Sequence, residues 1–243
     1  MAPPSATKRL GRSLKPRHAS TAPLPTLPLV STDEWLVDTR DSYDAVASSY
    51  AAQVRNSISG DAHRHAALVV LADDVRLAGG GPVVDIGCGP GQVTAYLHGL
   101  GVDAFGIDLS PEMIAVARRD HPDLRFEVGS MTDLRLDDAS VAGLIAWWSL
   151  IHVPDDVMPT VLRHFHRVLL PGAPLQVGFH VGETARLKTK GYGGHAMKVT
   201  VHRRQPDRVI SWLRDAGFSV DAQWLCELDK QVPQAFLFAH RLP

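Results

Sequence analysis

Short apolar runs alternate along most of this sequence with longer segments in which apolar residues recur every three or four positions. The runs indicate strands buried on both faces of a sheet, and the three- and four-residue steps indicate helices. The predicted strands are 83–86, 104–109, 124–128, 141–146 and 175–179. The predicted helices are 39–56, 61–78, 92–100, 111–120, 155–170 and 207–216. Because strands separated by helices pair in parallel, the pattern predicts a doubly wound α/β domain.

The pattern changes near the C-terminus, where strands are predicted at 218–228 and 234–242 with a short turn over 229–233 between them. A connection that short permits only antiparallel pairing, since a parallel partner needs a crossover. We therefore expect a mostly parallel seven-stranded sheet whose last strand is antiparallel.

Composition narrows the class of protein. Of the 243 residues, 45% are apolar and 21% are charged, as in a soluble globular protein. No apolar run approaches the ~18 residues needed to cross a bilayer, which argues against a membrane span. The two cysteines provide no disulfide framework and imply no oxidising compartment. We expect a cytoplasmic protein without a membrane partner, either a monomer or a homodimer.

Residues 1–30 differ from the rest, with six prolines, no acidic residue and five basic residues, namely Lys8, Arg9, Arg12, Lys15 and Arg17. Such a segment cannot bury enough apolar surface to offset ordering, so it predicts a disordered tail before a single domain at 31–243. An organelle transit peptide is the alternative. The chain has 25 basic and 26 acidic residues, so subtracting the tail leaves 20 against 26, or −6. A mildly acidic body argues against nucleic acid as a partner.

The strongest chemical signal is the loop after the first predicted strand, Asp85-Ile86-Gly87-Cys88-Gly89-Pro90-Gly91. Glycines there allow positive φ and let a ligand approach the main chain. The dinucleotide fingerprint needs a glycine at its sixth position, which is Gln92 when counted from Gly87 and Thr94 when counted from Gly89. No Gly-Lys-Ser/Thr follows, so the phosphate-binding P-loop also fails.

The remaining pattern, D-x-G-x-G-x-G, resembles motif I of the class I S-adenosylmethionine-dependent methyltransferases. Asp108 ends the second predicted strand, where an acid accepts hydrogen bonds from both ribose hydroxyls of a nucleoside. The resemblance implies a Rossmann-like methyltransferase fold, S-adenosylmethionine as cofactor and S-adenosylhomocysteine as product. It also implies cofactor contacts from Asp85, Gly87, Cys88, Gly89 and Gly91.

Other segments extend the resemblance over about residues 39–243. Tyr43 and Tyr50 fit the Y-D-x-x-A-x-x-Y helix that lies over the cofactor, within an N-terminal helical cap at about 35–78; a core-packing pair is the alternative. Matching segments after the second, third and fourth strands imply further cofactor contacts from Leu109, Ser110, Met113, Ser130, Met131, Ala146 and Trp147. The family often has Gly-Asp where this chain has Gly129-Ser130, so an acidic contact to the adenine amino group is missing.

Methyl transfer is an in-line displacement in which the protein mainly aligns the reactants, with a general base where the acceptor must lose a proton. His152 and His180, at strand C-termini, are the candidate catalytic residues. His195, in a glycine-rich segment at 190–197 expected to be a mobile loop, is a weaker substrate-contact candidate. Trp148 and Tyr192 are candidate aromatic walls of an acceptor pocket. For each of these, a structural role is the alternative.

The sequence therefore predicts methyl transfer from S-adenosylmethionine to a small-molecule acceptor in secondary metabolism. Oxygen is expected as the methylated atom in preference to nitrogen. No metal is expected, since His63/His65 and His164/His166 are two residues apart and point to different helix faces. The alternatives are a nucleotide-dependent oxidoreductase and a non-catalytic S-adenosylmethionine-binding module.

Overall fold

The computed structural model describes residues 34–243, and the predictions for residues 1–30 lie outside this range. Its strands are β1 (Pro82–Ile86), β2 (Asp103–Asp108), β3 (Phe126–Val128), β4 (Gly143–Trp147), β5 (Pro174–His180), β6 (Ala185–Lys190), β7 (Ala196–His202), β8 (Phe218–Cys226) and β9 (Gln234–Arg241). Its helices are α1 (Glu34–Val54), α2 (Ala62–Leu77), α3 (Gln92–Gly99), α4 (Pro111–Asp120), α5 (Met158–Val168) and α6 (Pro206–Asp215).

Seven strands form the main sheet in the order β3-β2-β1-β4-β5-β9-β8. Strands β1 to β5 pair in parallel, and β9 pairs antiparallel with both β5 and β8. This confirms the predicted mostly parallel sheet with an antiparallel last strand. The chain order reverses between β1 and β4, and ligands of doubly wound sheets bind outside the strand C-termini at such a point.

The two faces of the sheet are covered by different helices. Alternate residues of β4 face opposite sides, with Leu144 in one buried cluster and Ile145 in the other. Phe165 of α5 belongs to the first cluster, and Leu71 of α2 belongs to the second. Burial on both faces explains why the strands are nearly continuous apolar runs in the sequence.

A separate two-stranded antiparallel hairpin, β6–β7, packs on α1. Its buried residues Met197 and Val199 share a cluster with Val46 and Ala47 of α1. Residues 190–197, predicted as a mobile loop, form the tip of this hairpin. Those residues are the end of β6, one 3-10 turn and the start of β7, and the Gly191 N–H donates to the His195 carbonyl across the tip (2.8 Å). Strand β6 is largely exposed, so its short alternation of apolar and basic residues buries no face and is a weak strand signal.

Candidate active site

The glycine loop between β1 and α3 is shaped by backbone that favours glycine. Gly87, Gly89 and Gly91 have φ of 75°, 55° and 82°. The N–H groups of Gly87 and Cys88 both donate to the Ile107 carbonyl, at 2.7 and 3.2 Å, which ties the loop to β2. A Cβ on Gly87 would lie 2.3 Å from that of Ser149, so the chain can pass here only without a side chain.

Gly91→Ala is expected to destabilise the fold by about 2–5 kcal/mol, since positive φ costs ~1–2 kcal/mol and overpacking adds ~1–3 kcal/mol. The new Cβ would lie 2.6 Å from Phe126 Cζ and 3.2 Å from Ala117 Cβ. Gly101→Ala is the matched control, because φ is 83° there but no atom lies within 4 Å of the added carbon. Urea unfolding measures both, and equal losses in the two variants would rule out the steric contribution.

Asp108, at the C-terminal end of β2, presents an oriented carboxylate. Its Oδ2 accepts from the Gly89 N–H and its Oδ1 from the Ser110 N–H, both at 2.8 Å. Desolvation raises the pKa of this carboxyl to about 6, although the two backbone donors oppose the shift. The group is therefore mostly ionised at neutral pH, and its orientation is set before any ligand binds.

A first cavity of about 90 Å³ lies at this edge of the sheet. It brings together most of the predicted site residues, namely Tyr43, Tyr50, Gly87, Gly89, Asp108, Leu109, Ser110, Met113, Ser130, Met131, Trp147, Trp148 and His152. Ser130 borders it with a hydroxyl that already contacts Thr132 Oγ1 at 2.7 Å. The α1 tyrosines lie over the loop with their ring centroids 6.0 Å apart.

A second cavity of about 330 Å³ shares the two tyrosines, the two tryptophans and the loop glycines with the first. Asp85, Cys88, His180 and Tyr192 line it as well. Asp85 is buried, accepts a 2.7 Å hydrogen bond from Thr94 Oγ1, and has its pKa raised to about 7 by desolvation. The two cavities form neighbouring compartments around one glycine loop.

Three predicted site residues border neither cavity. Ala146 is fully buried in β4, where its side chain points into the core, while Trp147 points the other way. Gly91 is the N-cap of α3 and packs against Phe126. His195 is exposed at the hairpin tip. Strand alternation turns the Ala146 side chain away from both cavities, and the hairpin leaves His195 in solvent, so their predicted contacts stay predictions.

His152 sits in a 3-10 turn after β4 and is 8% exposed. Its Nδ1 lies 3.0 Å from the Thr200 carbonyl of β7, and its Nε2 lies 2.7 Å from the Tyr43 hydroxyl. Because a carbonyl can only accept, the proton is on Nδ1, and Nε2 accepts from Tyr43. Desolvation lowers the His152 pKa to about 4, so the ring is neutral and has one basic nitrogen at the cavity.

His180, at the end of β5, lies on the second cavity with its ring centroid 6.4 Å from that of Trp148. Burial lowers its pKa first, followed by the nearby Arg203 and Arg64. The two candidate histidines thus lie on different compartments, and only His152 is held by hydrogen bonds at both ring nitrogens.

Sequence reasoning missed Arg64, which lines the second cavity with its guanidinium carbon 4.6 Å from the Trp148 ring centroid. It lies in the first turn of α2, three residues after the N-cap Asp61, with which it forms an ion pair (Nε to Oδ2, 3.3 Å). A cation there opposes the helix dipole, which is a signal that the sequence did carry.

Within residues 34–243, no group of three or more His, Cys, Asp or Glu side chains converges as metal ligands would. None of the helices described there is long and apolar enough to cross a membrane.

Comparison with known proteins agrees with this geometry. Residues 83–172 match a family model described as a methyltransferase domain. The 1,6-didemethyltoxoflavin-N1-methyltransferase of Burkholderia thailandensis, solved with 1,6-didemethyltoxoflavin and S-adenosylhomocysteine, has the same fold. Its TM-score is 0.68 at 21% identity, over 89% of this chain and 93% of that one. Residues 83–172 thus match a methyltransferase domain, and the surrounding chain shares the fold of a methyltransferase of known structure.

Two curated relatives extend the similarity. The demethylmenaquinone methyltransferase of Chlorobaculum tepidum is 33% identical over 91 residues, which are 37% of each chain. The O-methyltransferase cnsE of Penicillium expansum is 31% identical over 155 residues, covering 60% of this chain and 55% of the relative. This chain thus spans about a third to a half of those relatives. The segment matched by the methyltransferase model contains the glycine loop, Asp108 and His152, whereas α1, Arg64 and the hairpin lie outside it.

Proposed function

We propose that this protein transfers a methyl group from S-adenosylmethionine to a small-molecule acceptor. The observation that carries the proposal is the Asp108 carboxylate, held by two backbone N–H groups beside a glycine loop at the sheet's reversal point. A carboxylate presented in this way suits the adjacent hydroxyls of a ribose, because hydrogen bonds to ionised acceptors are the strong kind.

The residues present fit this cofactor. Asp108 would hold the ribose, and Leu109, Met113 and Met131 supply apolar surface for the adenine in the first cavity. In the second cavity, Asp85 suits the ammonium of the methionine part and Arg64 suits its carboxylate. When bound, the cofactor supplies a methyl group on a sulfonium, which is a good leaving group.

The protein's own chemistry is alignment and proton acceptance. His152 Nε2 is the unprotonated ring nitrogen of the first cavity, and it accepts from the hydroxyl of Tyr43, which lines both cavities. We propose that His152 accepts the proton of an acceptor hydroxyl through this contact, with Thr200 holding its Nδ1–H. His180 is proposed as a second acceptor-side residue, and Trp148 and Tyr192 as walls.

Oxygen is the preferred acceptor atom in this proposal, and nitrogen is second. A neutral, buried imidazole suits a hydroxyl, since a phenol must lose its proton as the new bond forms. The name of the Penicillium expansum relative records an O-methyltransferase. The Burkholderia thailandensis neighbour is named for N1 methylation, and it is the precedent for nitrogen.

The test is turnover of methyl-labelled S-adenosylmethionine by the purified full chain, with panels of catechols, phenols and aromatic amines. We expect labelled product and S-adenosylhomocysteine in equal amounts, with catechols or phenols ahead of amines. Tight cofactor binding without transfer to any panel member would instead indicate a non-catalytic binding module. Failure to bind S-adenosylmethionine would overturn the proposal altogether.

A further inference from the structure

Charges of opposite sign lie at different parts of the site. Asp44, Asp85 and Asp108 are grouped around the loop and the N-terminus of α4. Beyond the effect of burial, Asp108 raises the pKa of Asp85 and Asp44 raises that of Asp108. Asp44 also accepts a hydrogen bond from the Ser110 hydroxyl. Basic side chains act on the histidines instead. Lys188 and His202 lower the pKa of His152, and Arg203 and Arg64 lower that of His180. Basic side chains therefore lie near both candidate histidines, and Glu227 is the opposing charge near His180.

Lys188, in the middle of β6, borders neither cavity itself but contacts an aromatic residue that does. Its Nζ lies 3.9 Å from the ring centroid of Tyr192, which lines the second cavity and lies 4.6 Å from the ring of Tyr50. Lys188 makes no ion pair with any residue of 34–243. Lys198, on the neighbouring strand, differs in that it pairs with both Glu34 and Asp38.

Cations on an edge strand commonly serve only to prevent edge-to-edge pairing, and Arg186 and Lys190 of β6 fit that role because they are exposed. Lys188 is different, since it is half-buried against an aromatic wall. Burial lowers its pKa, and an ammonium that loses hydration without gaining a carboxylate is under-paired. An anionic ligand against the same wall would supply the missing partner.

We infer that the acceptor is an aromatic anion, a hydroxylated aromatic carboxylate in its simplest form, and that Lys188 selects it by its charge. The ring would lie against the wall formed by Tyr50, Trp148 and Tyr192, and the carboxylate would meet the Lys188 ammonium. Arg64 remains the partner of the cofactor's carboxylate. This inference rests on the proposed function, because it names the substrate class of the same site.

The test uses the full chain saturated with S-adenosylhomocysteine and two probes, 3,4-dihydroxybenzoate and its neutral amide, 3,4-dihydroxybenzamide. Calorimetry is expected to show the acid binding at least tenfold more tightly than the amide. Lys188→Gln should abolish that preference by weakening only the acid. Lys190→Gln, on the exposed part of the same strand, is the matched control and should keep it. A merely structural role of Lys188 would instead change the two probes equally.

An undiminished preference in Lys188→Gln, equal affinity of wild type for both probes, or no binding of either at millimolar concentration would each overturn the inference. Its failure is distinguishable from that of the proposed function. Methyl transfer without a charge preference removes the inference alone. A clear charge preference without any methyl transfer removes the proposed reaction and leaves the anion site.

Discussion

Replacing His152 with glutamine is expected to lower kcat for a hydroxyl acceptor by about 10²–10³-fold, the usual contribution of a positioned general base. The neutral ring holds its proton on Nδ1, toward the Thr200 carbonyl, and presents Nε2 as the basic atom. Glutamine occupies similar space but cannot accept a proton at neutral pH. S-adenosylmethionine affinity should change by less than about threefold, because the ribose and methionine contacts lie on other residues. Rapid-quench turnover and calorimetry measure the two quantities.

Two companion variants sharpen this result. His202→Gln, on β7 and outside both cavities, should keep wild-type turnover although the residue is close enough to influence the His152 pKa. Tyr43→Phe removes the hydroxyl 2.7 Å from Nε2 and should reduce kcat by a similar factor, because the proposed proton path runs through that hydroxyl. Wild-type turnover in His152→Gln would remove this histidine from the mechanism and leave alignment as the protein's contribution.

Asp108→Ala is expected to weaken S-adenosylmethionine binding by about 1.5–3 kcal/mol, roughly 10- to 150-fold, as for the loss of hydrogen bonds to a charged group. The variant also leaves the N–H groups of Gly89 and Ser110 without the acceptor that they share. Asp103→Ala is the matched control, since Asp103 is the exposed residue at the opposite end of β2. Unchanged cofactor affinity in a folded Asp108→Ala protein would contradict the proposed ribose contact.

The pH dependence of cofactor binding tests the same contact independently. Ribose hydroxyls donate to the ionised carboxylate, so binding lowers a pKa that stands at about 6 in the free protein. Affinity should therefore be full above pH 6 and fall as the pH drops below it, by up to about tenfold per unit. Asp108→Asn should lose that part of the fall. Any fall between pH 8 and 6.5 that persists in this variant is assigned to Asp85, whose pKa is about 7.

The parallel sheet could be predicted because each of its strands is buried on both faces. Such a strand is a continuous run of apolar residues, which can be recognised in the sequence. The glycine loop could be predicted as well, since positions with positive φ and close packing require glycine, and glycine is visible in the sequence. Asp108 followed from these two, because a strand in parallel register with β1 must end at the same edge. The cofactor side of the candidate site thus came from local pattern combined with a general rule of topology.

Residues on the acceptor side were harder to predict because their roles depend on contacts between distant parts of the chain. The Nδ1 partner of His152 lies 48 positions away and its Nε2 partner 109 positions away. Hairpin β6–β7 was missed because β6 buries little surface of its own, and Lys188 gains its place only when β7 packs on α1. Strand alternation likewise decided that Trp147, and not its neighbour Ala146, lines the cavities.

The amino-acid order by itself determined the doubly wound sheet, its antiparallel last strand, the glycine turn and the acid one strand later, because short-range patterning encodes burial and backbone shape. Only the tertiary structure decided which tautomer His152 adopts, which histidine meets which cavity, and that Arg64 and Lys188 rest on aromatic walls. Those properties arise from desolvation and from contacts between side chains of different helices and strands. Both desolvation and these contacts exist only once the chain is folded and packed.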